Sequence, residues 1–409
     1  MKFYRWFFVF FVLAVSASAQ APHPEQNQVL PGIDVLAVRN FDILRGKKIG
    51  LVTNQTGRSR DGRATIDILR RAPGVKLMAL YAPEHGVRGE IAAGAHVKTY
   101  RDKITGLPVY SLYGSTRRPT SSMLRGVQVL VFDIQDIGAR SYTFIATLGE
   151  CLTACAQRKI PLVVLDRPNP IGNAIEGNIA QDFSFVCPFP IPYRHGLTMG
   201  ELARWINAKR GGKAKLTVVP MQGYQRRFVW DDTGLPWMKT SPNIPRSTSP
   251  FFYATTGLIG ELPALSIGIG TPWQFEVAGA PGINADALQQ ELQKRGLPGV
   301  EFRAASWIPA KGRHAKQLCS GVQIILHKPQ QVQLTRLNFE IYDAVRRVAP
   351  QIKFWNSPDR NSMFDKVCGT PQIRRLMQSG KSSSEVWKVW NSGAARFAKE
   401  PQAVRLYED

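Results

Sequence analysis

The chain lacks most of the signatures by which common enzyme classes are recognised. Its 409 residues hold five cysteines, none in a Cys-x-x-Cys spacing, and no Cys/His pattern that suits zinc. There is no Gly-x-Ser-x-Gly elbow, no phosphate-binding loop and no His-Glu-x-x-His helix. The segment after the first predicted strand reads TNQTGRSRDG, with no Gly-x-Gly-x-x-Gly. These absences argue against an elbow-type serine hydrolase, a P-loop nucleotidase, a zinc protease and a dinucleotide enzyme, and no cofactor is expected. No cysteine follows a predicted strand end, which argues against a thiol nucleophile. Cys151 and Cys155, four apart on a predicted helix, would be strained as a bridge and read as buried thiols. An oxidising compartment would permit one bridge among Cys187, Cys319 and Cys368. Low-complexity tracts and internal repeats are absent as well.

Long apolar runs are nearly absent too. The one present, residues 6–15, follows Lys2 and Arg5 and precedes Ala17-Ser18-Ala19. That pattern reads as a cleavable signal peptide over residues 1–19, with a flexible Pro- and Gln-rich leader over 20–34. The alternative, an uncleaved anchor, is disfavoured because the run is short for a bilayer span. The expectation is a periplasmic or otherwise exported protein without stable membrane insertion.

Acidic residues are scarce: 30 Asp and Glu stand against 53 Lys and Arg, a formal net charge of +23. Removing Lys2 and Arg5 leaves +21 (23 − 2). Export and the absence of any helix-turn-helix, zinc-finger or RNA-binding signature argue against nucleic acid. Anionic envelope material, such as carboxylate-bearing cell-wall glycans or acidic lipid surfaces, suits an exported basic protein. Simple solvated faces are the bland alternative.

What the chain does contain is alternation. Strands are predicted at 49–53, 75–82, 127–132 and 160–165, with helices at 61–71 and 141–158 and a loop-rich insertion over 86–119 holding a short strand at 109–113. This predicts an α/β fold: a Rossmann-like parallel sheet domain over 35–187. A smaller α+β auxiliary domain with a C-terminal helical tail follows over 188–409. It opens with a helix over 198–209 whose Thr198 and Glu201 form a capping-box pair.

Each of the four main strands ends in polar residues: Asn54 after the first, Glu84 and His85 after the second, Asp133 and Asp136 after the third, Asp166 and Arg167 after the fourth. In open parallel sheets, ligands bind beyond the carboxyl ends of the strands. A carboxyl group there, set among apolar neighbours, suits a general acid, and Glu84 is the first candidate. Its alternative role is an ion pair with Arg88 or Arg140. Asp133, Asp136, Arg140 and Tyr142 cluster in the third segment, where Asp136 could instead cap a helix. Arg167 could clamp a carboxylate, and the rigid LDRPNPIG segment holds Asn169. Glu176 on a Gly-flanked loop carries little weight alone. Arg194 and His195 sit where the two predicted domains meet, a favoured place for a site.

Seven ordered segments bring a family into view: TNQTG at 53–57, APEHG with RGE at 82–90, TGLPVYSLYG at 105–114, FDIQDIGARSYT at 132–143, LDRPNP at 165–170, RHGLTMGELA at 194–203 and SPNIP at 241–245. Together they resemble the exo-lytic β-N-acetylmuramidase (NamZ-like) family. The resemblance implies a Rossmann-like domain joined to an auxiliary domain, with the site in the cleft between them. It implies removal of N-acetylmuramic acid from non-reducing ends of peptidoglycan chains or muropeptides, with no metal or nucleotide. Glu84 falls in the family's Pro-Glu-His-Gly motif and is the expected acid, with Glu176 or Asp133 as the partner carboxylate. The remaining strand-end residues, together with Arg140, Tyr142, Asn169, Arg194 and His195, are the expected substrate-binding set. An arginine among Arg140, Arg167 and Arg194 could select the sugar's lactyl carboxylate. One departure stands out: Ile267 and Ile269 occupy positions where many relatives carry Glu and Arg. Two further readings remain: a non-catalytic receptor for muropeptides or acidic sugars, and a metal-dependent hydrolase using His85, Asp133 and Asp166.

Overall fold

A strand that is apolar on both faces must be covered on both faces, and the first half of the chain supplies several. In the computed structural model, which describes residues 28–92 and 94–409, these strands form a seven-stranded sheet. Its members are β1 (Lys48–Thr53), β2 (Lys76–Ala82), β3 (Tyr100–Arg101), β4 (Pro108–Ser111), β5 (Val129–Asp133), β6 (Leu162–Leu165) and β7 (Leu216–Val219). The order is β3-β4-β2-β1-β5-β6-β7, parallel throughout except for the short β3–β4 pair. From β1 the chain runs outward to β2 on one side, and β5 lies on the other. The crevice at the switch point therefore opens between the carboxyl ends of β1 and β5.

Side-chain alternation assigns the two faces. Leu51, Val131 and Val163 point to a core closed by Ile33 and Leu36 of α1 (Gly32–Val38) and Ile66 and Leu69 of α2 (Thr65–Arg71). Val52, Phe132 and Val164 point the other way, onto α3 (Phe144–Arg158) and α4 (Met199–Lys209). The Thr198–Glu201 capping box forms at the start of α4 as expected.

The second core is continuous with that of the rest of the chain. There, α5 (Ser249–Thr256) and α6 (Ala285–Gln293) accompany a three-stranded antiparallel sheet of β8 (Val277–Ala280), β9 (Val300–Trp307) and β10 (Cys319–Leu326), ordered β8-β10-β9. The long α7 (Leu334–Val348) follows. The tail is α8 (Pro358–Cys368), α9 (Gln372–Gln378), α10 (Ser383–Trp390) and α11 (Ala394–Lys399). Trp390 is fully buried, stacks against Tyr193 and Phe339, and donates its indole N–H to Thr335 Oγ1.

Three expectations change, and the one departure from relatives finds its place. The sheet does not end near 187, because β7 pairs with β6 and joins the first sheet rather than the auxiliary part. The signal peptide and most of the leader lie outside the described residues, yet the leader's last stretch is packed: Val29 is buried, and Leu30 pairs through its backbone with Gln222. All five cysteines are buried free thiols, so the bridge permitted among Cys187, Cys319 and Cys368 is not formed. Ile267 lies in the core and Ile269 packs against it, so these two side chains fill apolar space.

Arg140 fastens the sheet domain to the tail. Its guanidinium is fully buried and donates to the carbonyls of Asn178, Ile191, Val367 and Cys368 and to Asn178 Oδ1. Arg140→Leu should lower stability by roughly 3 kcal/mol or more, since several buried acceptors lose their donor together. Urea unfolding checks this; a midpoint unchanged from the parent would contradict the fastening role.

Candidate active site

The turn after β2 puts a carboxylate in the open. Glu84 is half-buried; Oε1 accepts the Gly94 N–H at 2.8 Å and Oε2 accepts from Thr143 Oγ1 at 2.5 Å. Among the described residues it has no cationic partner. Arg88 pairs with Asp102 instead, and Arg140 is internal, so neither expected ion pair forms. His85 holds the turn: its backbone adopts φ 73°, and its Nδ1 donates to the Ile91 carbonyl. A non-glycine residue in the left-handed region is uncommon and concentrates at functional turns.

Tyrosines surround Glu84. Tyr142 is buried, donates to Thr240 Oγ1 at 2.9 Å and packs edge-on against Phe144 and Tyr253. Burial raises the Tyr142 pKa far above its usual value, the Thr240 bond opposes, and the charges of Glu84 and Asp136 push it further up. One hydroxyl therefore lies within the field of both carboxylates. Burial, then the Glu84 charge, lifts Tyr113 to about 12, against the pull of Arg117.

At the switch point lies a row of buried polar atoms without partners among the described residues: Asn54 Nδ2, Gln55 Oε1, Gln135 Oε1, Asp136 Oδ1 and His195 Nε2. Buried polar groups are ordinarily satisfied, so a cluster of exceptions calls for an explanation. Their other atoms are fixed. Asn54 Oδ1 accepts from the Thr56 N–H and hydroxyl, and Thr56 Oγ1 in turn accepts the Gln135 N–H. Asp136 Oδ2 accepts the Gly138 N–H. His195 Nδ1 accepts the Leu197 N–H, which assigns the proton of the neutral ring to Nε2, 3.8 Å from Asp136 Oδ2. Gly138 is required here: its φ is 80°, and a Cβ would come within 2.3 Å of Asn169 Oδ1. Each of these side chains is held on one side and keeps a buried polar atom unmatched on the other.

The remaining expected site residues are taken up inside the protein. Asp133 receives Arg167 Nε at 2.5 Å and Nη2 at 2.9 Å, and Thr65 Oγ1 at 2.5 Å. Glu176 accepts from Arg194 Nη1, from the Leu334 and Thr335 backbone N–H groups and from Thr335 Oγ1. Both carboxylates are saturated, so the pairing of either with Glu84 as a reacting group is not what this geometry supports. Arg194 is consumed by Glu176 and the Ile171 carbonyl. Neither Arg140 nor Arg194 is placed to meet a substrate carboxylate. Asn169 binds the Leu197 carbonyl and the Ile171 N–H. Asp166 binds Thr198, Tyr407 and the N–H groups of Arg167 and Gly200. His85, Asp133 and Asp166 are thus engaged separately, and among the described residues no group of three or more His, Cys, Asp or Glu is placed to hold a metal ion. Sequence reasoning passed over Tyr113, Thr143, Gln55 and Gln135 as site residues. All four stood inside the quoted segments, but none carries a carboxyl or imidazole group to single it out.

Comparison with known proteins adds to this geometry. Residues 49–248 match the family model for exo-β-N-acetylmuramidase NamZ, N-terminal, and residues 251–407 match its C-terminal counterpart. The peptidoglycan β-N-acetylmuramidase NamZ of Bacillus subtilis (strain 168) is 40% identical over 402 residues, covering 97% of this chain and 96% of that one. The chain belongs to the exo-β-N-acetylmuramidase NamZ family. The fold agrees with solved structures. A crystal structure of a DUF1343 family protein from Bacteroides fragilis NCTC 9343 superposes with a TM-score of 0.89 at 40% identity, covering 94% of this chain and all of that one. A second from the same organism gives 0.74 at 26% identity, covering 93% and 99%. The family models divide between residues 248 and 251, after β7, in keeping with the sheet's extension past 187.

The fastening set of this NamZ-family chain has a pH signature. Burial raises Asp166 from 3.8 to about 6, against the opposing hydrogen bonds from Tyr407, Gly200 and Thr198. The folded state then holds this proton more tightly than the unfolded chain, so the group's stabilising contribution is full below pH 3.8 and is lost as pH rises through about 6. Denaturation midpoints from pH 4 to 7 should fall more steeply with pH in the parent than in Asp166→Asn; parallel curves would contradict the assignment.

Proposed function

We propose that this chain is an exo-acting glycoside hydrolase that removes N-acetylmuramic acid from the non-reducing ends of peptidoglycan chains or muropeptides. The observation that carries the reading is Glu84: a strand-end carboxyl without a cationic partner among the described residues, ringed by Tyr113, Thr143 and Tyr142. Glycoside cleavage uses one carboxyl to protonate the leaving oxygen and a second group to assist attack at the anomeric carbon. Glu84 takes the first role. Asp136, with a free Oδ1 and His195 beside it, takes the second, either as base toward water or by orienting the substrate's acetamido group. Neighbouring strands lie about 4.8 Å apart, so the ends of β2 and β5, two strands away, are separated by roughly 10 Å. That leaves room for a sugar between the two carboxyl groups.

Glu84→Gln keeps the Thr143 and Gly94 partners within reach while removing the proton. It should lower kcat/KM on a chromogenic N-acetylmuramide by roughly 10²–10⁴-fold. Turnover within a few-fold of the parent would remove Glu84 from the acid role, and binding without any turnover in the parent would favour a receptor. Export is part of the proposal. The protein recovered from the envelope should begin at or near Gln20 by intact mass; a full-length species beginning at Met1 would contradict it.

A further inference from the structure

At Gln135, next in the chain to Asp136, lies a hollow that the mechanism above does not use. It opens at the carboxyl ends of β1, β5 and β6 and is lined by Thr56, Arg58, Gln135, Arg167, Trp230 and Trp237, among others, around about 610 Å³ of atom-free space, part of it open to solvent. Its walls are carbon. Trp230 and Trp237 stand edge to face at 4.8 Å, and both indole N–H groups are turned inward, to the carbonyls of Leu235 and Ile244.

Its floor is cationic. Arg58 donates to two carbonyls, of Gln55 and Gly62, and no carboxylate pairs with it among the described residues. Arg167 gives Nε and Nη2 to Asp133, while its Nη1 has no partner among the described residues. Asp34 also lies in the field of Arg167 and accepts the Arg60 backbone N–H, while the Arg60 guanidinium turns away to the carbonyls of Val29 and Thr233. Of the charged residues that line the hollow, Arg58 and Arg167, only Arg167 has a carboxylate partner, Asp133, so the Arg58 charge is left in excess at the lining. Gln135 lines the same hollow, 2% exposed, with Oε1 unpartnered. This is a built site for a small aliphatic group that ends in a carboxylate, with a hydroxyl or amide donor nearby.

We infer that this hollow receives the lactyl arm of the N-acetylmuramoyl unit: its methyl against Trp230 and Trp237, its carboxylate against Arg58 and Arg167. The inference rests on the muramidase reading above and deepens it. The lactyl ether is what separates N-acetylmuramate from N-acetylglucosamine, so a hollow that holds it sets specificity. Of the three arginines expected to select that carboxylate, Arg140 and Arg194 are spoken for by the protein interior. Arg167 retains a donor, and Arg58, unforeseen, brings an uncompensated charge. A peptide on the lactyl group would present the same carboxylate chemistry one residue farther out.

Calorimetric titration of the full chain with N-acetylmuramic acid, N-acetylglucosamine and N-acetylmuramoyl-L-alanine tests this without requiring turnover. N-acetylmuramic acid should bind at least tenfold more tightly than N-acetylglucosamine, and Arg58→Gln and Trp237→Ala should each erase most of that preference. A preference retained within twofold in both variants overturns the inference, as does the absence of any preference or of measurable binding in the parent. Tighter binding of N-acetylmuramoyl-L-alanine than of the free acid overturns the lactyl assignment in favour of the peptide carboxylate. Should Trp237→Ala fail to fold, Arg58→Gln carries the test, because its bonds reach only carbonyls of its own loop. Parent turnover on the N-acetylmuramide is measured alongside. Its absence with the binding preference intact counts against the muramidase reading alone; its presence with unaltered variants counts against the hollow alone.

Discussion

The bidentate pair between Asp133 and Arg167 sets the carboxyl edge of the sheet. Both side chains are almost wholly buried, and a buried charge without its partner is strongly destabilising. The pair therefore fixes more than two residues. Asp133 closes β5 and Arg167 follows β6, so the ends of adjacent strands are joined. Thr65 at the start of α2 donates to the same carboxylate, and the Arg58 carbonyl accepts from the same guanidinium. The loop after β1 is thereby pinned to both neighbours. The row from Asn54 to Gln135 then has a fixed floor, which lets unpartnered polar atoms stay in place before any ligand arrives. Preorganised groups of this kind lose little freedom when substrate binds.

Polar residues at this edge fall into two populations with opposite physics. Asp133, Asp166 and Glu176 have both carboxylate oxygens matched inside the protein, and Arg140 and Arg194 give their terminal nitrogens to interior acceptors with only Nε unpartnered, so all five hold segments distant in sequence together. Asn54, Gln135, Asp136 and His195 are each matched on one side only, and Glu84, although both oxygens accept a hydrogen bond, has no cationic partner among the described residues. Proximity to a strand end is common to both, so it does not separate them. What separates them is whether a complementary group arrives from elsewhere in the chain: Glu176 meets the start of α7, and Glu84 meets only Thr143 and a backbone N–H.

That distinction marks how far the sequence could be read. The parallel sheet was legible because strands such as β5 are apolar on both faces, and little else explains a run like Val129–Asp133. The identity of Glu84 as the carboxyl of interest was legible from its place after β2. The assignment of β7 was not: LTVV has the same pattern in either sheet, and only the pairing of Leu162 with Leu216 decides. β9, with only Phe302 and Trp307 buried along its length, carried little regular apolar signal to find. The interior fate of Arg140 and Arg194 was equally hidden, because it depends on Cys368 and Glu176 arriving from remote stretches. Aromatic and amide residues around the hollow, Trp237 and Gln135 above all, gain their meaning only from the strap that folds back over the strand ends.

The segment around residues 406–409 reaches back into the first domain. Tyr407 donates to Asp166, the Leu406 N–H reaches Glu201, and Asp409 pairs with Arg226. The Rossmann-like half is thus not a self-sufficient piece. Expressed as a fragment it would present a bare cavity where Tyr407 belongs, with Asp166 deprived of one donor. Separating the halves for biochemistry would call for supplying this segment in trans, as a peptide that completes the unfinished wall.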